Sequence, residues 1–256
     1  MGFIFYEVGG KVRDEILGLQ SKDIDYVAVP NPELLDKYTE AKDMFNVLVE
    51  HLKAEKFTLF LITDDCYTVR AKYPKGHKHE GLVADFVMAR RELGYIPGTR
   101  TPIVVPGTLY DDLIRRDFSF NALAKSEDGN IIDYFNGIND LNEGILKTPL
   151  DCKITFDDDP LRIIRAIRFA ITKGLTIPKD IQFQINVYDY ESKMPVVSTE
   201  RIREELTKCF KHDTLLTLDY LAEYTNLRNY IFNNNVLWLK PTNYEKSIGR
   251  TFKIGG

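Results

Sequence analysis

The chain has 256 residues, of which 44% are hydrophobic and 12% aromatic, so it can build one large core or two small ones. This composition excludes intrinsic disorder. The net charge of −4 excludes a strong overall basic field, so a nucleic-acid partner has to be held by local patches. Three distant cysteines without a CxxC spacing exclude a zinc finger and a disulfide framework. Neither a signal peptide nor a long apolar run is present, so we expect a cytoplasmic protein without membrane contact.

Strand and helix patterns alternate in the first half of the chain. A short helix is predicted at 11–17, and one long amphipathic helix at 33–53, where apolar residues recur at steps of three and four. The segment 90–106, rich in glycine, proline and arginine, is predicted to be a loop. Strands are predicted where short apolar or alternating runs occur, at 3–8, 24–29, 57–62, 67–73 and 82–88.

The second half of the chain has a different pattern. Two runs, 118–124 and 131–135, flank Asp128 and Gly129, a pair typical of a β-hairpin turn. From Asp159 onward the pattern is helical to the end, with breaks near three prolines. The sequence therefore predicts an α+β protein, with a mixed α/β part over residues 1–150 and an all-α part over residues 151–256.

Gly9 and Gly10 join the first predicted strand to the first predicted helix. Glycines at such a turn let the backbone approach a ligand, and the helix start behind them offers N–H groups to an anion. Arg13, one turn into that helix, can clamp a phosphate with two parallel hydrogen bonds. A plain tight turn explains the two glycines equally well.

Asp23 and Asp25 are two residues apart on the second predicted strand, so their carboxylates share one face. Neighbouring carboxylates repel each other unless a cation lies between them, and such pairs hold Mg²⁺ for phosphoryl transfer. Two solvated aspartates at the start of a strand are the alternative. Asp85 lies among apolar residues in mid-strand, where ligation beside the first pair would offset the cost of burying it. The exposed face of an edge strand is the alternative for Asp85.

The segment 111–122 has five charges and an asparagine between apolar residues. Arg116 can meet a triphosphate oxygen, and Asp117 and Asn121 can hydrogen-bond a ribose. An internal network of ion pairs that joins a helix to a strand explains the same residues.

Asp159 and Pro160 form a good N-cap and first turn for a helix. Arg162, Arg165 and Arg168 then recur every three residues beside an apolar stripe. A guanidinium donates to the acceptor edge of a base, and a carboxylate accepts from an exocyclic amino group, which cytosine and adenine both carry. This helix is a candidate for base recognition. In the alternative, Asp159 only caps the helix and the arginines only pair with acids.

The segment 226–256 combines five basic residues and one acid with several aromatic residues. Basic and aromatic side chains together suit unpaired, stacked bases. A tail that packs on the domain with solvated lysines is the alternative.

Taken in order, these motifs resemble those of class II CCA-adding tRNA nucleotidyltransferases and bacterial poly(A) polymerases. The series comprises Gly-Gly-x-Val-Arg-Asp, Asp-x-Asp, Arg-Arg-Asp-Phe-x-x-Asn-Ala and Asp-Pro-Leu-Arg-x-x-Arg-Ala-x-Arg-Phe. Asp133, Gly137 and Asp140–Leu141 match the family's connector motif, and Glu200–Leu206 matches its helix motif. Each motif is weak alone, but five in this order between Tyr6 and Leu206 are specific.

The resemblance implies a polymerase-β-type nucleotidyltransferase head over residues 1–150, in which helices flank a mixed sheet. It implies an all-α neck with a short helical C-terminal region over residues 151–256. About fifty residues follow Leu206, so we expect a shorter helical body than family members have. The loop 90–106 would match the segment that helps the switch to adenosine addition.

The resemblance also implies template-independent transfer of CMP and AMP from CTP and ATP to an RNA 3′ end, with CCA addition to tRNA as the first expectation. It assigns Mg²⁺ to Asp23 and Asp25, with Asp85 as the third catalytic carboxylate. Asp159 and Arg162 would select the base. The full set of expected nucleotide-binding residues is Gly9, Gly10, Arg13, Arg116, Asp117, Asn121, Asp159, Arg162, Arg165 and Arg168.

One departure from the family lies at the base-selecting motif. Family members usually have Glu-Asp-x-x-Arg, where this chain has aspartate at position 158, one methylene shorter. Three alternatives stay open: a poly(A), A-only or CC-only polymerase, a nucleotide- or RNA-binding module without catalysis, and nucleotidyl transfer to a protein or small molecule. The sequence does not fix the acceptor RNA or the oligomeric state.

Overall fold

The fold is α+β, and the computed structural model describes residues 2–20, 24–96 and 101–237. The strands in these ranges are β1 Phe3–Val8, β2 Asp25–Pro30, β3 Thr58–Thr63, β4 Thr68–Lys72, β5 Val83–Met88, β6 Arg90–Tyr95, β7 Pro102–Pro106, β8 Leu123–Lys125 and β9 Ile131–Asp133. The α-helices are α1 Gly10–Ile16, α2 Pro32–Lys37, α3 Ala41–Ala54, α4 Leu109–Ile114, α5 Gly137–Asn142, α6 Cys152–Asp158, α7 Leu161–Lys173, α8 Lys179–Val187, α9 Tyr190–Lys193, α10 Thr199–His212, α11 Thr214–Glu223 and α12 Thr225–Asn233. Within the described ranges, no helix is long and apolar enough to cross a membrane.

A mixed sheet with the strand order β3-β4-β5-β2-β1-β8-β9 forms the first part of the chain. β2 and β5 are parallel neighbours, and the other adjacent pairs are antiparallel. The register places Asp25 opposite Asp85 and Tyr26 opposite Phe86. Because side chains alternate along a strand, the two carboxylates lie on one face and the two aromatic rings on the other.

The face that carries the aromatic rings is covered by α3. Its apolar side chains, among them Met44, Phe45 and Leu48, are fully buried against the sheet. The rings of Tyr26 and Phe86 stack with their centroids 5.3 Å apart. The opposite face of the sheet, which carries Asp25 and Asp85, is not covered by α3.

A second core lies among the helices from α6 onward. Ile163, Ile164 and Ile167 form the buried stripe of α7. Phe118 and Phe120, which lie just before β8, pack into the same core and meet the ring of Phe169 edge-on at 5.5 and 5.2 Å. The helices are therefore anchored directly to the end of the sheet, and the arginine face of α7 lies beside it.

Most of the elements predicted from the sequence are confirmed, with four corrections. The predicted helix 33–53 is two helices, α2 and α3, because Tyr38 adopts an extended backbone that ends α2. Its ring still packs on the core, so the periodicity continues across the break. The predicted loop 90–106 contains the paired strands β6 and β7. Its tip, residues 97–100, lies outside the described residues.

The other two corrections concern where a predicted strand and the helical part of the chain begin. The predicted strand 118–124 begins as a short 3₁₀ turn, Ser119–Asn121, and only its end is strand β8. The helical part begins at Cys152 rather than at Asp159. The predicted hairpin around Asp128 and Gly129 is confirmed, since β8 and β9 pair on either side of that turn.

The connector motif ties α5 to the turn Ser119–Asn121. The carboxylate of Asp133 accepts the N–H of Gly137 at 2.9 Å, which holds the start of α5. The buried carboxylate of Asp140 accepts the Ser119 hydroxyl at 2.7 Å. The motif is therefore structural here, because it fixes the turn that carries Asn121.

A substitution at Gly137 tests how closely α5 approaches the Ser119–Asn121 turn. A methyl group there would lie 2.2 Å from the Ser119 carbonyl oxygen and 2.9 Å from the Phe120 nitrogen, and neither backbone atom can rotate away. We expect Gly137→Ala to lower the free energy of unfolding by roughly 3 kcal/mol, measured by urea denaturation. Gly129→Ala is the control. Nothing lies within 4 Å of its added carbon, so only the positive φ of 88° opposes it, at about 1 kcal/mol. Equal losses in the two variants would contradict the steric explanation.

Candidate active site

A cleft of about 500 Å³ lies between the sheet and α7. It contains seven arginines and three aspartates, although the whole chain has a net charge of −4. Such a local excess of guanidinium groups suits a polyanionic ligand. The cleft is lined by Gly9, Gly10, Arg13, Asp25, Val87, Arg115, Arg116, Asp117, Asn121, Asp159, Arg162, Arg165, Arg168, Phe169 and Arg201.

The structure brings together all ten nucleotide-binding candidates with Asp25 in this cleft. Asp85 borders a neighbouring hollow on the same face of the sheet. Asp23 lies outside the described residues, as does most of the basic and aromatic segment 226–256.

The glycine turn after β1 lies between the side chains of Asp25 and Arg116. Gly9 has a φ of 74°, which favours glycine, and its position lies close to both walls of the cleft. A side-chain carbon there would be 3.6 Å from the Asp25 Oδ2 and 3.6 Å from the Arg116 Nη1. The tight-turn interpretation is therefore confirmed by the backbone geometry of Gly9, and binding of a ligand by the turn stays a prediction.

Arg13 is nearly buried at the floor of the cleft. Its Nη1 donates to the Asn121 Oδ1 at 2.7 Å and its Nε to the Asp14 Oδ1 at 2.9 Å. The guanidinium carbon lies 5.3 Å from the centre of the Phe169 ring. Arg13 thus joins α1, the Ser119–Asn121 turn and α7 at one point.

Asp112 is the anchor of the Arg-Arg-Asp segment. Its fully buried carboxylate pairs with Arg115 and accepts from the Arg116 Nη2 at 2.9 Å. Burial alone would raise the pKa of Asp112, but the two guanidinium charges lower it to about 2. Sequence reasoning missed Asp112 as a site residue. The signal was its spacing of three and four residues from Arg115 and Arg116, which follow the end of α4.

Asp117 belongs to an internal network. It accepts from the Arg165 Nε at 2.8 Å and from the Asn121 Nδ2 at 3.0 Å. Burial would raise the pKa of Asp117, but the charge of Arg165 and the hydrogen bonds hold it below its usual value. The alternative interpretation of this segment as an ion-pair network is therefore confirmed for Asp117.

Two arginines of α7 are fixed by bonds to other elements. The Arg162 Nη1 donates to the Thr155 carbonyl at 3.2 Å and the Nη2 to the Arg115 carbonyl at 2.6 Å. Arg168 pairs with the buried Glu205 of α10. Through this ion pair, the helix motif 200–206 on α10 supports α7.

Asp159 and the ring of Phe169 complete the wall formed by α7. The Asp159 Oδ1 accepts the N–H of Leu161 at 3.1 Å, so its predicted capping role is confirmed. The ring of Phe169 lies below the guanidinium groups of Arg13, Arg165 and Arg168, at 5.3, 5.5 and 3.9 Å from its centre. An aromatic face attracts cations, which lets three like charges gather here. Sequence reasoning counted Phe169 only as part of a motif.

Asp25 and Asp85 are neighbours across two parallel strands, so their oxygen atoms can face a common cation. The Asp85 Oδ1 also forms an ion pair with Arg70, whose Nε lies 3.0 Å away. Among the described residues, no group of three metal-ligating side chains is found. Two carboxylates with oxygen donors nonetheless fit a hard divalent ion such as Mg²⁺.

Comparison with known proteins extends these observations. Residues 5–147 match the model of the poly A polymerase head domain. The chain is 34% identical over 234 residues to the mitochondrial CCA tRNA nucleotidyltransferase of Saccharomyces cerevisiae, covering 88% of this chain and 41% of that protein. It is 30% identical over 207 residues to the CCA-adding enzyme of Leuconostoc mesenteroides, covering 81% and 46%.

Solved structures show the same likeness. The Bacillus stearothermophilus CCA-adding enzyme in complex with CTP matches with a TM-score of 0.67 and 27% identity, over 87% of this chain and 48% of that one. The Thermotoga maritima CCA-adding enzyme complexed with tRNA_CCA matches with a TM-score of 0.65 and 26% identity, over 93% and 50%. The chain spans less than half the length of the Saccharomyces cerevisiae and Leuconostoc mesenteroides proteins.

The depressed pKa of Asp112 predicts a dependence of stability on pH. Its folded pKa of about 2 lies below the ordinary 3.8, so its ionised form stabilises the fold above pH 4, and this contribution is lost as the pH falls towards 2. We expect the difference in unfolding free energy between wild type and Asp112→Asn to shrink by about 1 kcal/mol between pH 5 and pH 3. Urea denaturation measures it, with Glu127→Gln at an exposed turn as the baseline. A constant difference would show that the two arginines do not hold Asp112 ionised.

Proposed function

The chain belongs to the family of CCA-adding enzymes and poly(A) polymerases, and from this premise we propose that it adds CMP and AMP to the 3′ end of tRNA, with CTP and ATP as donors. The observation that carries the proposal is the placement of Asp25 at the edge of a cleft with seven arginines. A nucleoside triphosphate is a polyanion that must meet a metal-binding carboxylate at one end, and this cleft offers both.

The guanidinium groups are proposed to bind the triphosphate and the nucleoside. Arg116 lies near Asp25 across the glycine turn, and Arg13 lines the same cleft, which suits the phosphate end. Arg165 is oriented by Asp117, which leaves its other donors able to bind a ligand. Protein contacts that hold each arginine in place reduce the entropy lost when the ligand arrives.

Mg²⁺ is proposed to bind at Asp25 and Asp85, with Asp23 added from the sequence alone. The support is the shared face of the two described carboxylates and their oxygen chemistry. Bound Mg²⁺ would lower the pKa of the RNA 3′-hydroxyl and neutralise the departing pyrophosphate. The protein's own part is to hold both substrates in line at these carboxylates.

Base selection is proposed for Asp159 and Arg162 at the start of α7. Arg162 is held by two backbone carbonyls, so the direction of its planar fork is fixed. A fixed donor fork beside a carboxylate can recognise the acceptor and amino groups that cytosine and adenine share. Burial raises the pKa of the neighbouring Asp158, with Arg162 acting in the opposite direction.

Two wider proposals follow from the family. Residues 1–150 are proposed as a nucleotidyltransferase head and residues 151–256 as a helical neck with a short body. The match of the head-domain model to 5–147 and the start of α6 at Cys152 support this division. A cytoplasmic site of action stays a prediction.

The experiment that tests the function is extension of a tRNA that lacks its 3′ CCA, with Mg²⁺ and with CTP and ATP given singly and together. Three additions that require both nucleotides are the expected result. A long ladder with ATP alone would instead identify a poly(A) polymerase, in line with the name of the matching head-domain model. No extension of any RNA would overturn the proposal.

Asp25→Asn tests the carboxylate face. The substitution keeps the size of the side chain but removes a charge next to the proposed ion, so we expect the extension rate to fall by roughly a thousandfold or more. Thermal melting should show an unchanged fold. Asp36→Asn, at an exposed position of α2, should extend tRNA like the wild type. Near-normal rates with Asp25→Asn would rule out its role at the metal.

Arg162→Ala tests base selection. Losing the fixed fork should reduce the preference for CTP over UTP, measured as the ratio of kcat/KM values, by about tenfold or more. Arg203→Ala is a matched control, because Arg203 also donates to two backbone carbonyls, at 2.6 and 3.0 Å, on α10 outside the cleft. An unchanged nucleotide preference in Arg162→Ala would refute the assignment.

A further inference from the structure

A second hollow, of about 420 Å³, borders the same carboxylate as the arginine-lined cleft. Asp25 lines both spaces. The cleft includes Gly9 just after β1, whereas the hollow includes Arg70 of β4. β1 and β4 flank the β2-β5 pair on opposite sides, so Asp25 separates two spaces of different character.

The proposed reaction requires two spaces of this kind, and the following inference rests on that proposed function. In nucleotidyl transfer the attacking and leaving oxygens are in line at phosphorus. If the triphosphate occupies the arginine-lined cleft, the hydroxyl of the acceptor must approach Asp25 from the other side. The hollow is on that side.

The chemistry of the hollow matches one nucleotide of an RNA strand. Leu82 and Val83 are 49% and 41% exposed, an apolar surface that a base or ribose can cover. Arg70 supplies a cation beside them, and its side chain is 54% exposed to solvent. We propose that this hollow receives the last nucleotide of the acceptor RNA, and that Arg70 binds the phosphate joining its last two nucleotides.

Asp85 orients Arg70 for this contact. The two side chains form an ion pair in which the Arg70 Nε lies 3.0 Å from the Asp85 Oδ1, and this attraction keeps the guanidinium beside the carboxylate. An arginine held through Nε can still donate from its two terminal nitrogens to a phosphate. A carboxylate has two oxygens, so Asp85 can serve Arg70 and a cation together. Arg70 is a positioning residue for the acceptor strand.

The test measures binding of the full chain to a fluorescent tRNA that ends in CC, with Mg²⁺ and without nucleotide. A second tRNA has a neutral methylphosphonate in place of the phosphate that joins its last two nucleotides. Arg70→Met should weaken binding to the normal tRNA roughly five- to tenfold. The wild-type chain should lose the same factor with the neutral linkage. The two changes together should cost no more than either alone, since they remove the same contact.

Two further variants control for charge and fold. Lys42→Met removes another half-exposed cation, 53% exposed and paired with Asp64, on the helix that covers the opposite face of the sheet. Lys42→Met should bind normal tRNA like the wild type. With the tRNA that carries the neutral linkage, it should lose the same roughly five- to tenfold factor in affinity as the wild type. Arg70→Lys should recover part of the affinity, because it restores the charge but not the planar fork.

The possible results separate the two proposals. If the wild-type chain extends tRNA but Arg70→Met binds it normally, or if the two losses add, the assignment of Arg70 is overturned and the proposed function stands. If the wild-type chain neither extends nor binds tRNA, the proposed function is overturned, and the assignment of Arg70 with it.

Discussion

The ion pair between the buried carboxylate of Asp117 and the partly buried Arg165 joins α7 to the segment that follows α4. The Arg165 Nε lies 2.8 Å from the Asp117 Oδ2, and the same carboxylate accepts from Asn121, which in turn accepts from Arg13. A continuous series of charge-assisted hydrogen bonds therefore runs from α1 to α7. Removing Arg165 would leave the buried Asp117 carboxylate without its ion-pair partner, which destabilises the fold. The series therefore links the elements that form the walls of the cleft.

The concentration of arginines in the cleft has its own cost, since like charges repel. The structure offsets that cost with acids placed behind the arginines: Asp112 below Arg116, and Glu205 behind Arg168. The ring of Phe169 contributes from a third direction. These supports hold each guanidinium by part of its donor set, so the remaining donors are available to an anion. A site arranged in this way is ready for a polyanion before the polyanion binds.

The sequence revealed the elements and the cleft better than it revealed the contacts inside the cleft. Strand alternation placed Asp85 on a sheet, and the spacing of α7 placed its arginines on one face, because both follow from local periodicity. The break at Tyr38 was missed, because this residue continues the apolar periodicity of a helix although its backbone is extended. The ribbon of β6 and β7 was missed because glycine and proline favour loops locally, whereas the strand pairing depends on partners seven to sixteen residues away.

The long-range partners of the α7 arginines could not be predicted, since they belong to elements far apart in the chain. Arg162 bonds the carbonyl of Arg115, 47 positions earlier, and Arg168 pairs with Glu205, 37 positions later. Backbone carbonyls have no sequence signature, so the anchoring of Arg162 was invisible before the fold was known. Motifs located the residues that line the cleft, but only the tertiary structure showed which side chains and carbonyls hold the arginines in place.

The anchoring of Arg162 bears on the base selection, without a nucleic-acid template, that is proposed for this residue. A base pair defines its partner through donors and acceptors that are rigid in one plane. A flexible side chain lacks that rigidity, and the freedom of a guanidinium costs specificity. Here two backbone carbonyls, one in α6 and one at the end of α4, each accept from one terminal nitrogen of the Arg162 guanidinium. Since the Arg115 carbonyl belongs to the segment that Asp112 anchors, the rigidity of the base-selecting fork would derive from the same ion pairs that shape the arginine wall.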